Sequence, residues 1–540
     1  MPLRPIRKLL VANRGEIALR VIRTCREMGI KTVAVFSDGD RDALHVRAAY
    51  EAVRLGPAPS RESYLRGDLV VAAAKATGCD AVHPGYGFLS EKADFVRQVR
   101  AAGLVFVGPS AEAMEAMGDK LGARKNMIAA GVPVVPGTTE PIGDDASAVR
   151  EAGRIGYPVM IKASAGGGGK GIRIVRNEAE LLAACRRASS EASNAFSDGR
   201  VYIEKYLEEP RHIEVQVFGD SHGHVVHLGE RECSIQRRHQ KVVEERPSVL
   251  LDEPLREAMG AAAVKAAAAI RYENAGTIEF LVDRHRNFYM LEMNTRLQVE
   301  HPVTELTSGL DLVRWQLLVA MGEPLPRTQE QIRHAGHAIE VRLYAEDGDH
   351  GFLPAVGRVQ RLELPGGPGV RVDSGLYEGM EVSPHYDPML AKLSVHAATR
   401  ELAIERMARA LSEVTVTGVT TNVPFLRRVL ASEAFRSGRY DTGTIEAHPE
   451  QFAMRHGKER LQNVALVAAT LAHVLRRRRG FPDRAAQHVA AGPGQAGSAG
   501  DGGAGSASAG GGAAAHAAPS PSSWVDAYRP GGGPWGGGAP

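Results

Sequence analysis

The chain has 540 residues, of which 44% are hydrophobic and 24% charged, a composition typical of a globular protein too long for one core. Its 66 Lys and Arg residues nearly balance its 63 Asp and Glu residues, which excludes a global charge suited to nucleic acid or a membrane surface. No apolar run reaches membrane-spanning or signal-peptide length, and the four cysteines form no C-x-x-C pair. These features predict a cytoplasmic protein of several domains, without a zinc knuckle or a disulfide framework.

Residues 1–116 alternate between short apolar runs and amphipathic segments. Lys8 to Ala12 is typical of a strand, Glu16 to Met28 of a helix and Thr32 to Phe36 of a second strand. This β-α-β order predicts a parallel sheet with helices on its faces, although the dinucleotide fingerprint G-x-G-x-x-G is absent. The segment His83 to Glu91 follows a predicted strand end, where open α/β sheets bind ligands.

A glycine-rich segment, residues 165–171, separates two predicted strands, Val159 to Lys162 and Ile172 to Val175. It is not a P-loop, because Gly171 rather than Ser or Thr follows Lys170 and no helix follows. Consecutive glycines nevertheless allow backbone N–H groups to approach phosphate oxygens closely. With Lys162 on the adjoining strand, we predict a phosphate-binding hairpin; the alternative is a flexible surface turn.

The segment Glu230 to Lys241 is dense in charge and contains Cys233. A solvated loop or a basic patch for nucleic acid is the alternative to a functional role, but no aromatic residue is interleaved with the basic ones. If the segment is extended, His239 and Lys241 share a face. We expect Cys233 to be a quiet buried residue, because no motif of a nucleophilic cysteine surrounds it.

Carboxylates are concentrated around a predicted hairpin, in which the strands Gly276 to Val282 and Phe288 to Glu292 flank a five-residue connection. Glu279 and Glu292 would then lie on neighbouring strands, with Asn294 close by. Carboxylate and amide oxygens suit Mg²⁺, which also binds nucleotide phosphates. From Glu292 to Glu300 polar and apolar residues alternate, which predicts a strand with its polar side chains on one face.

The C-terminal part changes character twice. Residues 331–447 predict a mixed α+β region that includes the strand His337 to Tyr344 and the helix Arg400 to Glu413. Residues 448–489 predict a helical extension with a helix at Leu461 to Leu475. Residues 490–540 consist mostly of Gly, Ala, Ser and Pro and are expected to form a disordered tail, because they cannot bury enough apolar surface.

Five ordered motifs together resemble the biotin carboxylases of the ATP-grasp superfamily, over about Arg7 to Thr444. These motifs are Ala12 to Ala18, His83 to Glu91, Met117 to Lys120, the glycine-rich segment and Glu292 to His301. The resemblance implies an α/β fold: an N-terminal parallel-sheet domain at 1–116, an ATP-grasp domain at 117–330 and an α+β domain at 331–447. A mobile glycine-rich lid is expected at about 133–205.

The resemblance also implies a two-step reaction, in which ATP activates bicarbonate as carboxyphosphate and biotin is then carboxylated. The implied nucleotide-binding residues are Lys120, Lys162, Gly168, Gly169, Glu204, Lys205, Tyr206, Leu207, His212, Gln236 and His239. Glu279, Glu292 and Asn294 match ligands of Mg²⁺ or Mn²⁺. Lys241, Arg296 and the backbone of Val299 match the bicarbonate pocket, Glu300 the catalytic base and Arg342 the group that stabilises the biotin enolate.

The implied partners are a biotin carboxyl carrier protein and carboxyltransferase subunits, since no Ala/Val-Met-Lys-Met biotinylation segment occurs in the sequence. The family implies a homodimer and a role in acetyl-CoA carboxylation, while residues from Tyr440 to Arg479 favour a propionyl-CoA, other acyl-CoA or pyruvate type. Another ATP-grasp ligase, such as a carbamoyl phosphate synthetase half, is the alternative enzyme. A non-catalytic ATP-binding scaffold is the alternative without activity.

Overall fold

The structure is a computed structural model that describes residues 3–164, 172–196, 198–452, 464–472 and 474. It divides into two compact units, Met1–Arg455 and His456–Pro540. In the second unit the described residues 464–472 and 474 are helical, within the helix predicted at Leu461 to Leu475. The tail predicted at 490–540 lies outside the described residues. In the part of the chain that is described, no helix is both long and apolar enough to span a membrane.

A five-stranded parallel sheet forms the N-terminal part, as the β-α-β pattern predicts. Its strand order is β3-β2-β1-β4-β5, and apolar side chains of β1 and β2 are buried between the sheet and the helices on its faces. The elements are β1 (Lys8–Val11), α1 (Gly15–Glu27), β2 (Lys31–Ser37), α2 (Leu44–Ala48), β3 (Glu51–Gly56), α3 (Gly67–Ala76), β4 (Ala81–His83), α4 (Ala93–Ala101), β5 (Val105–Phe106) and α5 (Ala111–Gly118).

A small three-stranded antiparallel sheet of order β7-β6-β8 follows. Two helices, α7 and α8, pack their alanines and Leu181 on its apolar side. The two strands that flank the glycine-rich segment pair as predicted, while residues 165–171, including Gly168 and Gly169, lie outside the described residues. The elements are α6 (Lys120–Ala129), α7 (Asp145–Ile155), β6 (Val159–Ala163), β7 (Arg173–Val175), α8 (Glu178–Phe196) and β8 (Val201–Lys205).

An eight-stranded antiparallel sheet of order β13-β12-β9-β10-β11-β14-β21-β19 carries most of the polar residues singled out above. It crosses the domain boundary predicted at residue 330, because β14 of the third region pairs with β11 of the second. Its first elements are β9 (Arg211–Gly219), β10 (Val225–Arg237), β11 (Gln240–Arg246), α9 (Glu253–Ala269), β12 (Asn274–Val282), β13 (Phe288–Asn294), α10 (His301–Ser308) and α11 (Leu312–Ala320).

The third region completes this sheet and packs helices and short strands on it. Its elements are β14 (His337–Tyr344), β15 (Glu346–Asp347), β16 (Leu353–Pro354), β17 (Gly357–Arg358), β18 (Arg361–Glu363), β19 (Val370–Ser374), β20 (Glu381–Val382), β21 (Met389–Ala397), α12 (Arg400–Glu413), β22 (Thr415–Thr417), α13 (Val423–Ala431), α14 (Glu433–Ser437), α15 (Thr444–Ala447) and α16 (Pro449–Phe452). Apolar residues of α12, α13, β14 and β21 share one core.

One local prediction was wrong, and one alternative left open is excluded. The strand expected from Glu292 to Glu300 ends at Asn294, and the chain then turns until α10 begins at His301. Burial does not alternate in this turn: Leu297, Gln298 and Glu300 are all buried, so the polar and apolar alternation of the sequence does not mark a strand here. The charge-dense segment from Glu230 to Lys241 is not a solvated loop: it forms the hairpin β10–β11, and its turn holds Arg238 and His239 at positive φ.

Candidate active site

A bulge in β11 brings two charged side chains onto one face of the large sheet. Gln236 pairs with Lys241 and Ile235 with Val243, so that Val242 is an extra residue opposite one position of β10. Val242 and Val243 therefore both face the same core, although they are adjacent in the chain. Beyond the bulge the alternation resumes, and Lys241 and Glu244 share the opposite face.

Lys241 is the cation at the centre of a cluster of carboxylates. Its Nζ donates hydrogen bonds to Glu214 Oε2 at 2.5 Å, to Glu279 Oε1 at 2.9 Å and to Glu300 Oε1 at 2.7 Å. Although burial alone would lower it, these three charges hold the pKa of Lys241 well above its usual range. The ammonium group is therefore charged at neutral pH and joins strands β9, β11 and β12 to the turn after β13.

Glu300, the residue before α10, lies between Lys241 and Arg342 and is fully buried. Its second oxygen, Oε2, accepts a hydrogen bond of 2.9 Å from Arg342 Nη2. Burial alone would raise the pKa of this carboxyl, but Lys241 and Arg342 hold it well below its usual range. The predicted base is thus a carboxylate at neutral pH, with one cation at each oxygen.

Arg296 is fixed by a residue that the sequence placed on a ligand-binding loop. Glu91 Oε2 accepts from Arg296 Nε at 3.0 Å, and Glu91 Oε1 accepts from the backbone N–H of Thr295 at 3.1 Å. The guanidinium also donates to Gln298 Oε1 and Asn294 Oδ1, each at 3.0 Å. The turn between β4 and α4 of the N-terminal region therefore positions a cation at the edge of the large sheet.

The predicted metal ligands meet on the hairpin β12–β13. Glu279 and Glu292 lie on neighbouring strands as expected, and a bulge beside Glu279 pairs them directly. Burial and the neighbouring charge of Glu279 raise the pKa of Glu292, which indicates a concentration of negative charge that a cation would relieve. Asn294 donates from Nδ2 to Glu279 Oε1 at 2.8 Å, while its oxygen accepts from Arg296. The two opposed carboxylates fit a divalent cation such as Mg²⁺, and the amide of Asn294 orients one of them.

Two lysines of the predicted phosphate site lie beside Glu204 of β8. Lys162 Nζ donates to Glu204 Oε2 at 2.5 Å, and Arg124 Nη1 donates to Glu204 Oε1 at 3.0 Å. Burial and the nearby charge of Lys162 lower the pKa of Lys120. The two neighbouring ammonium groups repel each other, and an anion bound between them would relieve this repulsion. A chain of phosphate groups is such an anion.

The other predicted nucleotide residues are distributed around this site. His212 Nε2 lies 3.2 Å from Glu279 Oε2, and Gln236 Nε2 donates to the Cys233 carbonyl at 2.9 Å. The side chain of Lys205 points away from the predicted nucleotide site, because its Nζ donates to the backbone carbonyls of Gly156 and Tyr157. The remaining described residues of this group are Tyr206 and Leu207, which follow the end of β8, and His239, which lies in the β10–β11 turn.

Several buried polar residues of the site were not predicted. Glu214 shares a face of β9 with His212, so the alternation of that strand contained the signal. Arg231 donates to Glu214 Oε1 at 2.5 Å, and Lys392 Nζ donates to the Val299 carbonyl at 2.7 Å. Arg231 and Lys392 both lie in strands in which the neighbouring residues are buried as well. Burial therefore does not alternate there, and only the fold reveals the partners of these two cations.

The cysteines behave as the sequence indicated. All four are free and buried, and burial raises the pKa of the Cys233 thiol well above its usual range. A protonated thiol of this kind is a poor nucleophile, which agrees with the expectation of a quiet residue.

Three family models match consecutive parts of the chain: the N-terminal domain of biotin carboxylase at residues 5–114, the ATP-binding domain of the carbamoyl-phosphate synthase L chain at 119–328, and the C-terminal domain of biotin carboxylase at 340–447. The biotin carboxylase of Halalkalibacterium halodurans is 54% identical over 442 residues, which cover 82% of this chain and 98% of that protein. The propionyl-CoA carboxylase alpha chain of Ruegeria pomeroyi is 52% identical over 494 residues, which cover 87% of this chain and 72% of that one.

A solved relative resembles the structure over the same region. The biotin carboxylase domain dimer of the Hydrogenobacter thermophilus 2-oxoglutarate carboxylase, in complex with MgADP, ADP and bicarbonate, has a TM-score of 0.80 and 47% identity. It covers 84% of this chain and 100% of that domain. The chain belongs to the biotin carboxylase family, the ATP-grasp ligases that carboxylate biotin at the expense of ATP. Its activity is the ATP-dependent carboxylation of biotin with bicarbonate, and the resemblance noted in the sequence is confirmed.

Proposed function

We propose that Glu300 is the base that takes the proton of bicarbonate in this enzyme. The observation that carries the proposal is the position of this buried carboxylate between Lys241 and Arg342, at 2.7 and 2.9 Å. Bicarbonate is a weak nucleophile until its proton leaves, so a carboxylate beside it is needed. A bicarbonate ion that draws on the same two cations would weaken their hold on Glu300 and make it more basic.

Lys241 and Arg296 orient the bicarbonate in this proposal. Both are cations fixed by carboxylates: Lys241 by Glu214 and Glu279 at the centre of the cluster, and Arg296 by Glu91 at its edge. The oxygen freed by Glu300 attacks the γ-phosphorus of ATP, ADP leaves, and carboxyphosphate forms. Positioning and charge neutralisation by fixed cations provide most of the rate in such phosphoryl transfers.

The nucleotide binds across the small and large sheets in this proposal. Lys120 and Lys162 contact its phosphates, the segment Glu204 to Leu207 holds the base, and Glu279 and Glu292 hold Mg²⁺. When bound, the metal neutralises charge on the phosphate oxygens. The opposed pair Glu279 and Glu292 supports this assignment, since two carboxylates on paired residues offer the oxygen ligands that Mg²⁺ prefers. The predicted closure of Gly168 and Gly169 over the phosphates remains a prediction.

Arg342 serves the second step, in which the carboxyl group passes from carboxyphosphate to biotin N1′. The pKa of its guanidinium is held well above the usual range by Glu244 and Glu300 in spite of burial, so it stays charged. A permanent cation beside the reacting centre stabilises the oxygen of the biotin enolate. In this proposal Glu300 thus lies between Lys241, which orients bicarbonate, and Arg342, which stabilises the biotin enolate.

We propose that the biotin is attached to a carrier protein and that the carboxyl acceptor is acetyl-CoA. The near-complete coverage of the H. halodurans biotin carboxylase, 98% of its length, supports a biotin carboxylase subunit. A propionyl-CoA type is the second candidate, because the R. pomeroyi relative extends the matched part of this chain from 82% to 87%. The dimer of the H. thermophilus domain supports a homodimer. Light scattering measures the oligomeric state, and the biotinylated and carboxyltransferase chains that copurify from the native host identify the acceptor.

The experiment that tests the proposed chemistry is the formation of acid-labile carboxybiotin from labelled bicarbonate and free biotin. The expected product requires ATP, Mg²⁺ and bicarbonate, and it disappears in Glu300→Ala. Formation of carbamoyl phosphate when ammonium replaces biotin would instead assign the chain to the alternative ATP-grasp ligases. Labelled carboxybiotin formed at the wild-type rate by Glu300→Ala would contradict the role of the base.

A further inference from the structure

A second buried glutamate holds Arg342 from the side opposite to Glu300. Arg342 Nε donates to Glu244 Oε1 at 2.7 Å, and its Nη2 donates to Glu300 Oε2 at 2.9 Å. Both carboxylates have no exposed surface. At least two of the five N–H groups of the guanidinium are therefore fixed by partners that approach from different directions, which sets the plane in which the remaining ones point.

The sheet explains why Glu244 is at this place. The bulge at Val242 returns Glu244 to the face that carries Lys241, and β11 pairs with β14 so that Glu244 lies directly opposite Glu340. Arg342 is two residues beyond Glu340 and projects from the same face of β14. The carboxylate and the guanidinium thus belong to neighbouring strands of one rigid sheet, and Glu300 comes from the turn before α10.

The surroundings of Glu244 leave it no other partner of opposite charge at hydrogen-bond distance in the described part of the chain. Its second oxygen, Oε2, is buried and accepts no hydrogen bond there, and the same holds for Glu340 Oε1. Glu340 Oε2 accepts from Ser394 Oγ at 2.6 Å. Burial raises the pKa of Glu340 to about 8 despite nearby Lys392, and it raises the pKa of Glu244 to about 7 against the attraction of Arg342. The partner of Arg342 is identified by geometry: the ion pair at 2.7 Å is made by Glu244.

We propose that Glu244 is a positioning residue for the carboxylation of biotin, which holds the Arg342 guanidinium in the orientation that the second half-reaction requires. Without the Glu244 charge, Arg342 keeps its ion pair with Glu300 and its interaction with Tyr344 but loses the charged partner at its Nε, which widens the range of orientations of the guanidinium. The guanidinium then no longer points reliably at the substrate oxygen. The first half-reaction relies on Lys241 and Arg296, which Glu244 does not contact. The inference rests on the proposed role of Arg342.

The test is Glu244→Gln, which keeps the shape of the side chain and removes its charge. Two rates are measured in the full chain: bicarbonate-dependent ADP release without biotin, and carboxybiotin formation with free biotin. The expected result is a fall in kcat for carboxybiotin formation on the order of 10- to 100-fold, with biotin-free ADP release within about threefold of wild type, because a misplaced group of this kind costs up to about 100-fold.

The matched control is Glu245→Gln, the same substitution at the next buried residue of β11. Glu245 faces the opposite side of the strand, where it contacts His337 and Arg400, so the control lowers stability and leaves the ratio of the two rates unchanged. Loss of both rates in parallel in Glu244→Gln, or a ratio equal to that of wild type, would overturn the proposal. If Glu244→Gln does not fold, Glu244→Asp keeps the charge and shortens the reach; an unchanged ratio in that variant overturns it equally.

Failure of this inference is distinguishable from failure of the proposed function. If Arg342→Met forms carboxybiotin at the wild-type rate, the role of Arg342 is wrong and Glu244 has nothing to position. If Arg342→Met loses carboxybiotin formation while Glu244→Gln retains it, the role of Arg342 stands and only that of Glu244 is refuted.

Discussion

Glu245 connects the large sheet to the C-terminal elements, and Glu245→Gln is expected to destabilise the fold measurably. Its Oε2 accepts from His337 Nε2 and Arg400 Nε, both at 2.7 Å. Its Oε1 accepts from Arg400 Nη2 at 3.0 Å and from the Tyr440 hydroxyl. The substitution removes the charge, replaces one of the two acceptor oxygens by an N–H₂ donor and leaves the Arg400 side chain beside a neutral amide.

The magnitude follows from the pKa of the carboxyl. Although burial opposes ionisation, the hydrogen bonds from His337 and Arg400 lower the pKa of Glu245 from 4.5 to about 2. At about 1.4 kcal/mol per pKa unit, the shift corresponds to about 3 kcal/mol of folding free energy at neutral pH. For roughly 450 folded residues the unfolding entropy is about 1 kcal/mol per kelvin, so Tm should fall by about 3 °C.

The sign of the pH dependence is also determined. Because the folded pKa is lowered, the contribution is complete above the unfolded value near 4.5 and is lost as the pH falls through the folded value of about 2. Calorimetry at pH 7 and at pH 4 should therefore show a Tm difference that narrows on acidification. Glu433→Gln, at an exposed ion pair with Arg439, is the control and should change Tm by less than about 1 °C. A Glu245→Gln Tm equal to wild type at pH 7, or a difference that widens towards pH 4, would refute the reasoning.

Three further substitutions separate the parts of the site. Lys241→Met should lower bicarbonate-dependent ADP release on the order of 100-fold or more, because it removes the cation beside Glu300; release near the wild-type rate speaks against that role. Glu292→Gln should raise the Mg²⁺ concentration for half-maximal ADP release about tenfold, while Gln at the exposed Glu257 leaves the Mg²⁺ titration unchanged. Glu91→Gln frees Arg296 and should raise KM for bicarbonate about tenfold with KM for biotin unchanged; equal changes in both would show that Glu91 acts on the whole site.

The predictions from sequence succeeded where short-range patterns determine the structure. The five-residue connection between β12 and β13 was enough to place Glu279 and Glu292 on neighbouring strands, because hairpin pairing follows from the turn. Their direct pairing was not predictable in this way, since it depends on a bulge at Leu291. The extent of the strand was misjudged at Glu300, because the polar/apolar alternation of the sequence continues past the end of the strand at Asn294. That carboxylate reaches Lys241 and Arg342 from the start of a helix.

Other features depend on contacts that no local pattern contains. The bulge at Val242 reverses the facing of Lys241 relative to Val243, and strict alternation would place Lys241 in the apolar core. Glu91 and Arg296 lie in turns that follow strands of different sheets, and their pairing requires that both sheets have formed. Such pairs of opposite charges are specified by the assembled fold, because each member alone would resemble an ordinary charged surface residue in the sequence.

The claim that Glu300 joins the two half-reactions is tested most directly by the stimulation of ATP cleavage by free biotin. Wild-type protein should release ADP only with bicarbonate present, and biotin should accelerate that release. Glu300→Ala should show neither the bicarbonate dependence nor the acceleration, in protein that calorimetry shows to be folded at the assay temperature, although its Tm is lowered by the loss of two buried ion pairs. Absence of biotin stimulation in the wild-type protein, or the same stimulation in Glu300→Ala, would contradict the account.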